Sequence, residues 1–223
     1  MSTYNVRLYK DSDFPAVRRI FIGGCQEHTT AAFHGALMVP RNWLLLLVVF
    51  VLPLLTIGSI LLSILDVLIV LILFWLSGRE FFHSYGRHAL VEDLKDITRY
   101  YLQREGYGFW VVESAGEVVG MVAAVPSYLP GGEKHMELRR MSVASTQRGK
   151  GIAKILCRTL IDFARKKGCD AVILSTTTVQ VDALKLYEKM GFRCAHTMDS
   201  PKFTDRLARI TWVIYKYDIK KSG

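Results

Sequence analysis

The sequence predicts an α+β fold: a mixed, mostly antiparallel central sheet flanked by helices and interrupted by a hydrophobic membrane hairpin. Three observations predict it. From Trp43 to Leu76 there are 34 residues with Asp66 as the only ionisable side chain. Two alternating segments, Phe109 to Glu113 and Val118 to Val125, are joined by Ser114-Ala115-Gly116-Glu117, a β-hairpin signal. A strand, a glycine turn and an amphipathic helix then follow one another between His135 and Phe163.

Composition bounds the rest. The chain has 223 residues, 51% hydrophobic and 22% charged, with 29 Lys plus Arg against 20 Asp plus Glu and a net charge of +9. Such a chain buries a sizeable core, which excludes disorder. Its mean hydropathy is nonetheless positive, so the apolar and the basic residues must be segregated. Residues 139 to 167 hold nine basic side chains and one acid, Asp162, which accounts for nearly the whole excess. That charge surrounds a single glycine turn rather than a broad surface, which argues against nucleic acid as a partner.

The first element is a short strand, Asn5 to Tyr9, followed by a helix from Phe14 with Pro15 in its first turn and Ser12 or Asp13 as its cap. A single helix over the apolar run would reach about 51 Å, against a hydrocarbon core of about 30 Å. Pro53 and Thr56-Ile57-Gly58-Ser59 offer break points, so a helical hairpin, crossing or re-entrant, fits best. This divides the chain into residues 1–41 (first strand and helix), 42–77 (membrane-embedded insert) and 78–223 (the remainder of the same domain). Beyond the insert, His88 to Glu105 reads as an amphipathic helix, with Leu90, Leu94, Ile97 and Tyr101 on one face and Gly106 as its stop.

The strand His135 to Val143 slips in phase. Met136 and Leu138 share one parity and Met141 and Val143 the other, which predicts a β-bulge near Arg139 or Arg140. Gln147-Arg148-Gly149-Lys150-Gly151-Ile152-Ala153 follows, opening a helix with Ile152, Leu156, Leu160 and Phe163 on its apolar face. Free backbone N–H groups at a helix N-terminus, the positive dipole end and small residues together make a phosphate cradle. It is neither a P-loop nor a dinucleotide fingerprint, because Lys154 stands where a third glycine would be needed. The cysteines Cys25, Cys157, Cys169 and Cys194 have no metal or redox spacing and read as reduced, packed residues; no metal is expected.

The two segments Glu137-Leu138-Arg139-Arg140-Met141-Ser142-Val143 and Arg148-Gly149-Lys150-Gly151-Ile152-Ala153 resemble the acetyl-CoA motif of the GNAT superfamily of N-acetyltransferases. A second superfamily signature, Ala183-x-x-Leu186-Tyr187-x-x-x-Gly191-Phe192, lies on a helix after the strand Ala171 to Thr177. The resemblance covers nearly all residues outside 36–87 and implies the GNAT acyltransferase fold. Many members carry Asn at the position of Gln180, so no cofactor contact is assigned to that side chain. The apolar insert, with Asp96-Ile97-Thr98 and Phe109-Trp110-Val111, resembles the camello-like family, whose activities include N-acetylation of cysteine S-conjugates and of protein lysines.

The resemblance implies acetyl-CoA as co-substrate and a free amine as acceptor, with membrane lipid as a further partner and homo-oligomerisation left open. It also implies that the backbone N–H of Val143 polarises the thioester and that Met141, Val143 and Arg148 through Ala153 hold the cofactor. Tyr187 is the candidate donor to the leaving sulfur, or else a core aromatic. Glu137 is the candidate base, or else the ion-pair partner of Arg139 or Arg140. Either arginine could anchor an acceptor carboxylate. Because one fold is built from both sides of the insert, both flanks must lie on one face of the membrane. Cytosolic acetyl-CoA and the family resemblance make that the cytosolic face of the endoplasmic reticulum.

Overall fold

A computed structural model describes residues 4–127, 134–200 and 210–219. Seven strands form one sheet in the order β1-β2-β3-β4-β5-β7-β6. They are β1 (Asn5–Leu8), β2 (Gly108–Ser114), β3 (Glu117–Pro126), β4 (His135–Val143), β5 (Ala171–Thr177), β6 (Arg193–Asp199) and β7 (Thr211–Asp218). Every neighbouring pair is antiparallel except β4 and β5, so the sheet is mixed as expected. Ala115 and Gly116 both have positive φ, 50° and 80°, the two-residue turn whose twist suits a β-hairpin.

Among the described residues there are five α-helices, α1 (Phe14–Leu37), α2 (Pro40–Ile57), α3 (Ile60–Val91), α4 (Ile152–Lys166) and α5 (Val181–Lys189), of which α1 and α4 pack on opposite faces of the sheet. Strand alternation sends Phe109, Val111, Met121, Ala123 and Val125 to one face, where they bury with Val17, Phe21 and Leu94. Trp110, Val112, Val122 and Ala124 go to the other and bury with Ile152, Leu156 and Leu160 of α4. The helix α1 begins at Phe14, but Asp13 does not cap it through its side chain. That carboxylate instead accepts from the Arg7 guanidinium at 2.7 and 2.9 Å and from the Lys10 N–H at 2.9 Å.

The apolar run forms a helical hairpin whose turn is Gly58, at φ 72°, with Ser59 capping α3 by accepting from the Leu62 N–H at 3.4 Å. Pro53 does not break the chain; it lies inside α2. The helix α2 is about 27 Å long and Ile60 to Leu76 about 25 Å, each close to the hydrocarbon thickness of about 30 Å. Both helices are long and apolar enough to cross a membrane, and only 11% of the most apolar window of each is buried. A core helix of a soluble protein would be covered. The hairpin is tied to α1, because Asn42 Nδ2 donates to the Ala36 carbonyl and Trp43 Nε1 to that of Leu37, both at 2.7 Å. The Trp43 bond satisfies a carbonyl that the end of α1 leaves open, while the Ala36 carbonyl also accepts from the Val39 N–H at 3.3 Å.

One expected element is different. The helix α3 does not stop with the apolar run but continues to Val91, and no continuous helix spans His88 to Glu105. The chain breaks at Glu92 and resumes as one π-helical turn, Thr98–Leu102, closed by the Gln103 N–H to the Thr98 carbonyl at 3.1 Å. Leu94, Ile97 and Tyr101 are buried as their spacing required, at 0–1% exposure. The break turns Asp93 inward, and the partner it meets there lies on β4.

Candidate active site

The β-bulge is present and sits at Arg140. Met121 faces Ser142 and Ala123 faces Arg139, so β4 spends one more residue than β3 over the same span. Arg140 absorbs it at φ 53°, a conformation that costs about 1 kcal/mol or more for a residue with a Cβ. The bulge lets Met136 and Leu138 before it and Met141 and Val143 after it pack against the same core. Parallel pairing between β4 and β5 ends at Leu138 and Leu174, although the strands continue to Val143 and Thr177. Beyond that point the strands part, and the edge of β4 faces an opening instead of a neighbour.

Arg140 is held in place on every side. Its guanidinium makes two bonds to the Asp93 carboxylate, at 2.8 and 2.7 Å, and the Tyr101 hydroxyl donates to the same carboxylate. The pair is almost sealed from solvent, at 9% and 3% side-chain exposure. The Phe21 and Tyr85 rings lie 5.5 and 5.2 Å from the guanidinium carbon, within cation–π range. This network locks the strained residue that opens the sheet.

Two cavities meet at the opening. The larger, about 860 Å³, runs past Val143, Arg148, Gly149, Gly151, Ile152 and Ala153 toward α5. Gly149 and Gly151 have φ of 76° and 83°, and a Cβ on either would meet nothing within 4 Å, so the turn exposes bare backbone beside the start of α4. That is a cradle suited to a pyrophosphate. Arg148 stands at its mouth in an ion pair with Glu27 of α1, both nearly half exposed. Lys150 does not line the cavity; its ammonium donates to Gln147 Oε1 at 2.8 Å. The smaller cavity, about 330 Å³, is walled by Phe21, Phe81, Phe82, Tyr85 and Trp212, with Glu137 and Arg139 on its β4 side.

Of the catalytic candidates, Tyr187 lines both cavities, is 6% exposed, and has no hydrogen-bond partner for its hydroxyl among the described residues. Burial, with Cys157 and Tyr85 adding, pushes its phenol well above the ordinary value. Glu137 lines only the smaller cavity and is bonded to Arg139 at 2.8 and 2.9 Å. Met141 lines both cavities. Sequence reasoning missed the contribution of α1 and α3: Gly24, Glu27 and His28 on the first, Phe81, Phe82 and Tyr85 on the second, and Trp212 of β7. It also missed Asp93. The buried stripe on α1 was a readable signal for packing but not for proximity to this opening. Among the described residues no group of three or more His, Cys, Asp or Glu gathers to hold a metal ion.

A sheet that splits beside a glycine turn, with a buried tyrosine facing the split, defines an acyltransferase-type site. The family model described as "Acetyltransferase (GNAT) family" matches residues 71–192. N-acetyltransferase 8F1 of Mus musculus is 41% identical over 218 residues, covering 97% of this chain and 98% of that one. N-acetyltransferase 8 of Mus musculus is 38% identical over 215 residues, covering 96% and 92%. Among solved structures, a GNAT-family acetyltransferase from Staphylococcus aureus has a TM-score of 0.57 at 15% identity, covering 98% of this chain and 100% of that one. A structure described as a putative acetyltransferase from Salmonella typhimurium, solved with its cofactor acetyl-CoA, has a TM-score of 0.55 at 16% identity, covering 99% and 96%. The chain belongs to the GNAT family of acetyltransferases, among relatives of the N-acetyltransferase 8 type, and is an acetyl-CoA-dependent N-acetyltransferase.

Proposed function

We propose that this enzyme is anchored in the endoplasmic reticulum membrane and acetylates the free amine of a small amphipathic acceptor such as a cysteine S-conjugate. The carrying observation is the small aromatic cavity, part of whose wall is α3, the helix that is also the second apolar arm. An apolar tail of the acceptor fits the rings of Phe81, Phe82 and Trp212, and arrives from the side where α3 leaves the lipid. Arg140 is sealed against Asp93, whereas Arg139, 36% exposed, spends Nε and one terminal nitrogen on Glu137 and keeps the other, Nη1, for an acceptor carboxylate. Residues 42–77 serve as the membrane insert of a domain made from 1–41 and 78–223. The packing of α1 on the outer half of α3, where Gly78 lies against Ala32, supports one face for both flanks, and the supply of acetyl-CoA makes it the cytosolic one.

Acetyl-CoA supplies an activated thioester. The chain's residues do the remainder. Arg148 and the backbone of Gly149 to Ala153 would hold the diphosphate, with Lys150 adding charge at longer range. The Val143 N–H, on the unpaired side of β4 beyond the bulge, would receive the developing oxyanion. The Tyr187 hydroxyl would give its proton to the leaving sulfur. Its high pKa is matched by the site, since burial pushes even the neighbouring Cys157 thiol up to about 12 and must raise a leaving thiolate in the same surroundings.

The test is a comparison of amines. The purified protein should acetylate S-benzyl-cysteine at least about tenfold faster than a lysine peptide, because an α-amine with a pKa near 8 is far more often neutral than a lysine near 10.4. The reverse order overturns the acceptor assignment in favour of protein lysine. Tyr187→Phe should lower kcat by about 10- to 100-fold with little change in KM. A failure of acetyl-CoA to raise thermal stability would point to a non-catalytic adaptor.

A further inference from the structure

Six residues line both cavities: Gly24, His28, Met141, Ser142, Gln180 and Tyr187. The amine nitrogen and the thioester carbonyl have to meet where the cavities join, so a group that accepts the amine's proton directly has to reach that junction. Only His28 and Tyr187 in this set are ionisable. We propose that His28 of α1 is the base that takes a proton from the acceptor's ammonium group. The proposal rests on the acetyl-transfer reading and places the base on α1 instead of at Glu137.

The other ionisable groups around these cavities are either occupied or on one side only. Glu137 lines the acceptor cavity and is bonded to Arg139. The carboxylate of Asp93 is taken by Arg140 and Tyr101, and that of Glu27 by Arg148 at the far cavity's mouth. Lys154 and Asp182 line the cofactor cavity alone. Cys25 lines the acceptor cavity, but burial pushes its thiol up to about 11 and keeps it protonated. Tyr85 carries a phenol whose ring lies against Arg140. The His28 imidazole stacks obliquely on Phe82, centroids 5.3 Å apart, and makes no hydrogen bond to another described residue. An oriented ring with its nitrogens unspent is what a proton acceptor requires.

Electrostatics supports the same role. Burial, reinforced by Arg148 and opposed by Glu27, holds the His28 pKa below the ordinary 6.5, so the ring is neutral at neutral pH. The proton balance closes without another reagent. His28 takes one proton from the ammonium; the freed amine forms the N–C bond as the C–S bond breaks. Tyr187 protonates the sulfur and recovers its proton from the amide nitrogen, and His28 returns its own to solvent. The sum is acetylated amine, free thiol and one proton.

In the full-length protein, His28→Gln should lower kcat for S-benzyl-cysteine by about 100-fold at neutral pH while leaving the KM for acetyl-CoA within about threefold. Acetyl-CoA should still raise the variant's thermal stability. The acid limb of the wild-type kcat profile, falling below the ordinary histidine value, should disappear. In His28→Ala, added imidazole should restore turnover in proportion to its free-base fraction, which a merely structural side chain would not allow. Variants that keep kcat within about threefold, with the wild-type acid limb, overturn the assignment. So does a loss confined to KM that imidazole does not repair. Wild type and variants are compared on both S-benzyl-cysteine and the lysine peptide: a mistaken acceptor lowers the wild-type rate on one amine, whereas a mistaken base leaves wild type and variant alike on both.

Discussion

Two arginine–carboxylate pairs flank the opening of the sheet and are built for opposite purposes. Arg140 and Asp93 are almost fully buried, doubly bonded, and backed by Tyr101 and two aromatic rings. Arg148 and Glu27 are nearly half exposed and sit at the mouth of the larger cavity. Removing one partner of a buried pair strands a charge, which makes that pair a permanent fixture of the bulge. An exposed pair is worth about 0–1 kcal/mol and exchanges readily for a better partner such as a diphosphate. Burial, not chemistry, separates a structural ion pair from a releasable one.

The largest effect should come from breaking the buried pair. Asp93→Ala should destabilise the protein by about 3–5 kcal/mol, lowering Tm by about 10 °C in a thermal melt, with loss of acetyl transfer. The double variant Asp93→Leu with Arg140→Met should recover most of the melting temperature but not the activity, since nothing then holds residue 140 in its left-handed conformation. If the single variant melts like wild type, the pair is not the lock described above.

Next is Arg148→Ala, which should raise the KM for acetyl-CoA about tenfold or more through loss of charge-assisted hydrogen bonds, with Tm almost unchanged. Glu27→Gln should act in the opposite direction and more weakly, lowering that KM by up to about fivefold at low salt and less at high salt. A raised KM would mean that Glu27 orients Arg148 rather than competing for it.

The smallest effect concerns a third pair of intermediate burial, Arg7 with Asp13, at 24% and 7% exposure. The bond from Arg7 lowers the Asp13 pKa below its ordinary value despite burial. A carboxylate depressed in the folded state contributes stability that is present above its unfolded pKa of about 3.9 and lost as pH falls through the folded value. Melting curves of wild type should therefore drop more steeply below about pH 4 than those of Arg7→Met.

Much of this was legible in local sequence. The phase slip between Leu138 and Met141 announced the bulge, because period-2 alternation cannot survive an inserted residue any other way. Arg148 to Ala153 announced the bare-backbone turn beside α4, and the motif around Tyr187 marked a residue that lines both cavities. The contribution of α1 was not legible: His28 and Glu27 lie more than 100 residues from the glycine turn, and no local pattern on a helix names the surface it will cover. The expected helix over His88 to Glu105 failed for a related reason. The spacing of Leu94, Ile97 and Tyr101 reports a buried face, and a π-turn after a break buries that face as well as a helix does.

The sequence by itself determined the sheet with its hairpin, the apolar insert, and the glycine turn before α4, since periodicity, turn chemistry and hydrophobic length are properties of neighbouring residues. Only the tertiary structure decided where α3 ends, which arginine pair is buried and which is exposed, and which side chains reach the junction of the two cavities. Those outcomes depend on burial and on partners brought together from distant parts of the chain, and both exist only once the chain has packed.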